Sequence, residues 1–206
     1  MITITDYGVG NLASLINIFD FIGIEAISSS DPEQIASASR IILPGVGSFD
    51  RAMKALHDSA LVPALEMAVF ERSVPVLGIC LGMHLMAHGS EEGELPGLGW
   101  IDASARRILL PQESTFKVPN NGWHRVLPRR ETFLFPEKNE TYRYYFNHAY
   151  HLVCTDSDTI AGEIEYGARI TCAIERGNIF GVQFHPEKSH RFGVELLARF
   201  AGVPAS

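Results

Sequence analysis

The sequence Pro75-Val-Leu-Gly-Ile-Cys80-Leu-Gly-Met83 carries the main signal for both the fold and the chemistry. An apolar run leads directly into Gly-x-Cys-x-Gly, and a helix-forming segment at residues 83–87 follows without a gap. This pattern predicts a nucleophile elbow, the sharp strand-to-helix turn that projects one side chain from the edge of a sheet. Gly78 and Gly82 fit this turn, because neighbouring Cβ atoms would collide with its strained backbone. Cys80 is then placed at a helix N-terminus, where the helix dipole favours the reactive thiolate.

A second strand end supplies a base for this cysteine. Residues 179–187, Ile-Phe-Gly-Val-Gln-Phe-His-Pro-Glu, form an apolar run that ends in His185, Pro186 and Glu187. Pro186 fixes the local φ, so that the loop presents the imidazole and the carboxylate together. If Glu187 accepts from one ring nitrogen of His185, the other is left to take the thiol proton, as in a Cys-His-acid triad. A buried structural cysteine and a packed histidine are the alternatives. The position of both residues at strand ends favours the triad.

Hydrophobic periodicity predicts an α/β fold with a mostly parallel central sheet flanked by helices. In the first half, strands are predicted at 2–6, 25–28, 40–43 and 74–79, and helices at 12–22, 49–57 and 62–70, with Asp31 as the N-cap of a further helix. In the second half, strands are predicted at 100–109, 123–126, 142–146, 159–166, 170–175 and 179–184, before a closing helix at 195–200. The alternating part indicates parallel βαβ units, and the later strands indicate an antiparallel extension. We expect one domain over residues 1–206.

The composition is that of an ordinary globular protein. Of the 206 residues, 46% are hydrophobic and 20% are charged, and the formal net charge of −7 at pH 7 excludes a basic nucleic-acid footprint. The sequence has no run of 18 apolar residues and no signal-peptide pattern. Three scattered cysteines fit a reducing compartment better than a disulfide framework. We therefore expect a cytoplasmic protein in which Cys154 and Cys172 are inert core thiols.

Two further patterns are similar to cofactor or metal sites. Residues 8–13, Gly-Val-Gly-Asn-Leu-Ala, match G-x-G-x-x-A, and Asp31 lies near the distance of a ribose contact. Such glycine loops are common in α/β proteins, so the motif is weak evidence for a dinucleotide site. His84 and His88 are four residues apart with Glu92 one turn further on, as in a metal-binding helix face. Gly89 is expected to disrupt that helix, so we expect pocket-lining or solvated histidines instead.

Together, Gly78-Ile-Cys-Leu-Gly82 and Gly181-Val-Gln-Phe-His-Pro-Glu187 resemble motifs of the class I, triad-type glutamine amidotransferases. Within that family the chain is similar to the glutaminase subunits of imidazole glycerol phosphate synthase, an enzyme of histidine biosynthesis. The resemblance covers nearly the whole chain, including residues 6–11, 43–48, 90–93, 117–123 and 145–150. It implies hydrolysis of L-glutamine to L-glutamate and ammonia through a glutamyl thioester on Cys80. It also implies that no metal or organic cofactor is required.

The other site residues follow from acyl-transfer chemistry and from the resemblance. The oxyanion that forms during acyl transfer needs backbone N–H donors, and Leu81, directly after the nucleophile, supplies one. By resemblance, the second comes from the oxyanion loop, which is Gly45, Val46 and Gly47. The resemblance also assigns four residues to glutamine binding, which are His84, Glu92, Ala149 and Tyr150. The family usually carries Gln at position 84 and Ser or Thr at position 149.

A partner is implied as well. Free ammonia would be protonated and lost in bulk water, so the resemblance implies a synthase subunit that receives it through an internal channel. For imidazole glycerol phosphate synthase that partner is a (β/α)₈ cyclase. The candidate interface residues are Asn11, Lys117 and Trp123.

One segment departs from the family and leaves alternatives open. The family pattern Val-Pro-His-Met-Gly-Trp-Asn is replaced here by Val118-Pro-Asn-Asn-Gly-Trp-His124. A glutaminase subunit of a surface-sugar amidotransferase is therefore the second interpretation. A catalytically idle regulatory subunit is a third, which the intact triad residues argue against. A cysteine peptidase or esterase is disfavoured by the His-Pro-Glu motif.

Overall fold

Eleven strands and six α-helices are found in residues 1–137 and 140–202, the residues that the computed structural model describes. The strands are β1 (Ile2–Thr5), β2 (Ala26–Ser29), β3 (Ile41–Gly45), β4 (Val76–Cys80), β5 (Ala103–Arg107), β6 (Asn120–Pro128), β7 (Tyr142–His148), β8 (Tyr150–Cys154), β9 (Ile160–Glu165), β10 (Arg169–Arg176) and β11 (Ile179–Val182). The helices are α1 (Leu12–Phe21), α2 (Pro32–Ser37), α3 (Phe49–Asp58), α4 (Val62–Glu66), α5 (Leu81–Leu85) and α6 (His190–Phe200).

The strands form a mixed sheet with the order β2-β1-β3-β4-β11-β10-β9-β6-β7, to which β8 and β5 are added through β10. The pairs from β2 to β11 are parallel. The pairs that join β11, β10, β9, β6 and β7 are antiparallel. This confirms the predicted fold class. Because β4 and β11 are parallel neighbours, with Ile79 opposite Val182, the chain leaves both strands at the same edge of the sheet.

Helices cover both faces of the parallel strands. Successive residues of β3 point to opposite faces, and accordingly Ile41 belongs to one hydrophobic cluster and Ile42 to the other. Buried residues of α2, α3, α4 and α5 complete the first cluster. Phe19 of α1 and Phe200 of α6 are fully buried in the second. No helix in the described residues is long and apolar enough to cross a membrane.

The structure differs from the prediction at four elements, of which one was not predicted at all. No strand was predicted at β8, where only Leu152 is buried and the alternation that identifies a strand is weak. The predicted helix at 62–70 is interrupted, because α4 is followed by a π-helical turn over Met67–Glu71. The side-chain amide of Asn178 donates to the Val69 carbonyl within that turn, at 2.8 Å. The predicted strand at 100–109 is confined to β5, and α6 begins earlier than residue 195.

Candidate active site

Cys80 lies on a strained turn between β4 and α5. Its φ of 54° and ψ of −110° fall in a region that L-residues rarely adopt. A Cβ atom on Gly78 would lie 2.8 Å from the amide nitrogen of Met83, and one on Gly82 would overlap the carbonyl oxygen of Leu43. The two glycines therefore allow α5 to start against β3 and β4. The turn has the geometry that the Gly-x-Cys-x-Gly motif predicts.

His185 and Glu187 form a buried pair beside Cys80. The ring nitrogen Nδ1 of His185 lies 2.8 Å from Oε1 of Glu187, and their side chains are 5% and 4% exposed. Burial alone would lower the pKa of His185, but hydrogen bonds and charge interactions with Cys80 and Glu187 outweigh it and raise this pKa to about 10. The imidazole is thus protonated at neutral pH. A protonated imidazole beside a cysteine sulfur is an arrangement in which cysteine acts as a nucleophile.

The backbone around His185 fixes the position of its ring. The amide of His185 donates to the carbonyl oxygen of Tyr145 in β7, at 2.9 Å. Ser189 Oγ donates to the carbonyl of His185 at 2.6 Å and accepts from the amide of Tyr145 at 3.0 Å. These bonds attach the loop after β11 to β7, so the base is held from two directions.

A cavity of about 370 Å³ opens beside Cys80. The predicted site residues that line it are Val46, Gly47, Cys80, Leu81, His84, Glu92, Ala149, Tyr150 and His185. Five lining residues were not predicted, namely Pro119, Asn147, His148, Gln183 and Lys188. Two predicted residues lie behind the wall of the cavity. Gly45 pairs with Cys80 and allows close approach of the amide of Gly82, while Glu187 contacts His185.

The oxyanion loop continues directly from β3. The hydroxyl of buried Tyr7 donates to the carbonyl oxygen of Pro44 at 2.5 Å, which anchors the strand one residue before the loop. Beyond this anchor, Val46 is 44% exposed and Gly47 has a φ of 94°, which favours glycine. Leu81 is the first residue of α5, so its N–H has no acceptor within the helix. The loop and the helix start therefore meet where the oxyanion is expected.

The cavity lining includes polar groups suited to an amino acid. Glu92 Oε2 accepts from the amide of Phe49 at 3.0 Å. Burial and the charge of Asp50 raise the pKa of Glu92, against the opposing effect of this hydrogen bond. Ala149 separates β7 from β8, where Tyr150 begins the next strand. The cavity lining therefore offers one carboxylate and the backbone of a strand junction.

His148 adjoins the same strand junction as a neutral group. Burial lowers the pKa of His148 to about 3. Its Nδ1 lies 2.8 Å from the carbonyl oxygen of Tyr150, and its Nε2 lies 3.0 Å from Nδ2 of fully buried Asn120. These partners place the proton on Nδ1, and Nε2 accepts from the amide. The position of His148 at the end of β7 could have marked it, because β7 runs beside the loop of the triad histidine.

The three candidate interface residues are exposed in the chain. Asn11 and Lys117 lie on the surface, and Trp123 is 36% exposed. The indole of Trp123 stacks on the ring of His190, with ring centroids 5.4 Å apart and planes 4° apart. Trp123 belongs to β6, whose first residue directly follows Pro119 in the cavity wall. The cavity and the exposed indole are thus connected by one strand.

The weaker motifs have local structural roles. Asp31 caps α2 by accepting from the amide of Glu33 at 2.9 Å, which is not a role in ribose binding. The two histidines of the possible metal face diverge, because His84 is buried against Gln183 whereas exposed His88 lies 3.2 Å from Asp102. Within residues 1–137 and 140–202, no group of three or more His, Cys, Asp or Glu side chains is placed to hold a metal ion.

Comparisons with known proteins point to one family. The family model of class-I glutamine amidotransferases matches residues 5–202. The chain is 45% identical over 200 residues to the imidazole glycerol phosphate synthase subunit HisH 2 of Methanococcus maripaludis, covering 97% of this chain and 98% of that protein. It is 44% identical, with the same coverage, to the subunit HisH 2 of Pseudomonas aeruginosa. A solved glutamine amidotransferase at 17% identity shares the fold, with a TM-score of 0.74 over 98% of this chain and 99% of its own.

These matches agree with the strained Cys80 turn, the buried His185–Glu187 pair and the cavity between β4, β11 and the β7–β8 junction. The similar proteins extend over the length of the chain, so the antiparallel half is included. The chain belongs to the class-I glutamine amidotransferases and, within that family, to the imidazole glycerol phosphate synthase subunits HisH.

Proposed function

We propose that this chain hydrolyses L-glutamine to L-glutamate and ammonia with Cys80, His185 and Glu187 as a catalytic triad, and that it passes the ammonia to a synthase subunit. The observation that carries the proposal is the strained Cys80 at the cavity floor beside the buried His185–Glu187 pair. Membership in the family supports the same chemistry. The family match over residues 5–202 supports one domain, and three free cysteines support a cytoplasmic location.

The chemistry needs two half-reactions. The sulfur of Cys80 attacks the carboxamide carbon, and the oxyanion that forms accepts hydrogen bonds from the N–H of Leu81 and from the oxyanion loop. His185 gives its proton to the departing nitrogen, so ammonia leaves and a glutamyl thioester remains. His185 then takes a proton from water, which attacks the thioester and releases glutamate. Glu187 keeps the imidazole oriented and stabilises its charge throughout.

Glutamine is oriented by its amino-acid end. Glu92 offers its carboxylate to the α-ammonium group. The hydrogen bond from the amide of Phe49 to one of its oxygens holds the carboxylate in place. The α-carboxylate lies against the backbone at Ala149 and Tyr150, so the change from Ser or Thr to Ala at position 149 is tolerated. The side-chain amide of the bound glutamine then lies next to Cys80.

The partner that best fits the relatives is a (β/α)₈ cyclase. The relatives are named as subunits of imidazole glycerol phosphate synthase, so a second subunit completes that enzyme. Asn11, Lys117 and Trp123 are exposed and form the proposed contact surface. Ammonia formed beside Cys80 would leave along β6 toward this surface.

A second partner class is favoured by one observation. Asn120, where the family pattern has His, is fully buried and bonds His148 in the cavity wall. This change alters the polarity beside the proposed ammonia route, and it makes a sugar amidotransferase subunit the second candidate partner. Offering the chain both partners from its own source decides between them. Glutamine-dependent synthesis with the sugar amidotransferase subunit alone would overturn the cyclase assignment and leave the glutaminase chemistry intact.

The triad itself is tested by covalent labelling with a glutamine-mimicking diazoketone. We expect the label on Cys80, because burial raises the pKa of Cys154 to about 11 and also raises that of Cys172 well above its ordinary value. Cys80→Ala should abolish both labelling and glutamate release with the partner present, while Cys154→Ala keeps them. A label on another cysteine, or full activity of Cys80→Ala, would refute the mechanism.

A further inference from the structure

Gln183 has no role in the chemistry above, yet it contacts the nucleophile. Its amide Nε2 donates toward Sγ of Cys80 at 3.8 Å, and its Oε1 lies 2.6 Å from Nε2 of His84. Gln183 is fully buried and His84 is 4% exposed. Both residues line the cavity. The three side chains therefore form a continuous chain of polar contacts.

The order of donors in this chain is determined by His84. An amide oxygen only accepts hydrogen bonds, so Nε2 of His84 must carry the proton. This assigns the neutral tautomer with the proton on Nε2, and burial, which lowers the pKa of His84 to about 4, keeps the ring neutral. With Oε1 turned to His84, the NH₂ group of Gln183 must face the sulfur. A reversed amide would place an oxygen lone pair against the thiolate.

We propose that Gln183 is a further catalytic residue, which stabilises and positions the Cys80 thiolate by donating an N–H to it, and that His84 is the positioning residue that sets the direction of the Gln183 amide. The proposal rests on the proposed function and deepens it. It gives His84, which stands where the family usually carries Gln, a role behind the nucleophile in addition to lining the substrate cavity. A hydrogen bond to a charged sulfur is stronger than one to a neutral group.

The other charged and titratable groups of the cavity are His185, Glu92, His148, Tyr150 and Lys188. Gln183 differs from all of them because its amide has no charge at any working pH. Its removal therefore deletes no titrating group and weakens the stabilisation of the thiolate. The pH dependence of thiol reactivity should then keep its shape and move to higher pH.

The test is the alkylation rate of Cys80 by iodoacetamide, measured by mass spectrometry from about pH 5 to pH 10 without glutamine or partner. Because a hydrogen bond to a charged group is about twice as strong as one between neutral groups, Gln183→Leu should slow alkylation at neutral pH by roughly 10-fold or more. His84→Leu should lose part of this rate, because the amide is free to turn. His84→Gln should restore most of it, since its side-chain N–H can donate to Oε1 of Gln183.

Two comparisons make the result specific. His88→Leu removes an exposed histidine that bonds Asp102 outside the cavity, and it should leave the alkylation profile unchanged. In the double variant His84→Leu/Gln183→Leu the rate should equal that of Gln183→Leu, because His84 acts through the amide. If Gln183→Leu does not fold, as judged by circular dichroism, the difference between His84→Leu and His84→Gln carries the test.

The outcomes separate this proposal from the proposed function. An unreactive Cys80 in the wild-type chain would refute the triad itself. A reactive Cys80 with the same profile in folded Gln183→Leu, or equal profiles in His84→Leu and His84→Gln, would refute the role of Gln183 and leave the triad intact. A shift to higher pH in Gln183→Leu and His84→Leu, with recovery in His84→Gln, supports the proposal.

Discussion

At the scale of single residues, the position of the reactive sulfur depends on the absence of Cβ atoms at Gly78 and Gly82. The positive φ of Cys80 is compatible with the fold because Gly82 allows the carbonyl of Leu43 to contact the start of α5. The strain of such a conformation is of the order of 1–3 kcal/mol and persists only where the surrounding structure enforces it. The side chain is thereby directed into the cavity before any ligand arrives.

A methyl group at Gly82 should therefore damage both stability and chemistry. Gly82→Ala places a Cβ atom on the carbonyl oxygen of Leu43, so β3 and α5 must separate. We expect a loss of about 2 kcal/mol or more in the free energy of unfolding, measured in urea, together with loss of glutaminase activity. Gly89→Ala is the matched control, since its nearest neighbour would be the carbonyl of Leu95 at 3.8 Å. Similar losses in both variants would contradict this explanation.

The raised pKa of His185 should depend on the sulfur. Burial lowers this pKa, and Cys80 and Glu187 raise it to about 10, so Cys80→Ala should lower it. An NMR titration of the imidazole measures the difference, and equal values in both proteins would refute the coupling. Because the folded pKa lies above the ordinary value of 6.5, the stabilisation from this proton is complete below about pH 6.5 and is lost as the pH rises through 10.

At the scale of elements, the end of β3 combines an anchored residue with an exposed loop. Tyr7 holds Pro44, whereas Val46 and Gly47 extend beyond the anchor. Tyr7→Phe leaves a buried carbonyl without its donor, which typically costs about 1–3 kcal/mol. We expect kcat for glutamate release to fall by roughly 10-fold as the oxyanion loop loosens, with little change in KM.

The control for Tyr7→Phe is Tyr166→Phe. Tyr166 donates its hydroxyl to the carbonyl of Lys117 at 2.7 Å, the same kind of bond outside the cavity. The Tyr166→Phe variant should lower the free energy of unfolding without reducing the glutaminase activity of the chain alone. Equal kcat values for Tyr7→Phe and the wild type would show that the anchor has no effect on the loop.

The oxyanion loop should also make the isolated chain a slow glutaminase. A peptide between Val46 and Gly47 that points its carbonyl inward offers no donor, and a partner seated on exposed Val46 can turn it. One missing oxyanion donor costs about 10²–10³ in rate. Glutamate release should therefore rise by about that factor when the partner and its acceptor ligand are added. Comparable rates with and without the partner would mean that the donor is already in place.

The elements that could be predicted from the sequence are those with a clear local pattern. The strands before Cys80 and His185 are apolar runs that end in glycine, proline or a polar residue, so both their existence and their role in the site were predicted. Strand β8 has one buried residue and was missed. Gln183 gave no signal of its own, because its importance comes from contacts with Cys80 and His84, which are far away in the sequence.

At the scale of the whole molecule, membership among the imidazole glycerol phosphate synthase subunits indicates an enzyme that works within a complex, and Trp123 is our candidate for its interface. An aromatic residue at the centre of an interface contributes disproportionately to binding. The stacking of the indole on His190 holds it in one orientation before the partner binds. A rigid aromatic group loses little conformational freedom on association.

Replacing this aromatic group should weaken assembly. We expect Trp123→Ala to reduce the affinity for a (β/α)₈ cyclase by about 2 kcal/mol or more, measured by calorimetry. Phe21→Ala removes an aromatic side chain that is 80% exposed on α1, and it should bind like the wild type. External ammonium salts should still support the cyclase with either variant. Unchanged affinity of Trp123→Ala would place the interface elsewhere.

The position of β11 has a consequence for protein synthesis. This strand lies between β4 and β10 in the sheet, although it follows both in the chain. During translation the chain up to residue 178 can emerge and begin to fold with the edges of β4 and β10 unpaired. Cys80 lacks the triad imidazole of His185 until the ribosome has released the residues that follow. Unfinished chains therefore cannot consume the glutamine of the cell, and hydrolysis begins only when the two halves of the sheet are joined.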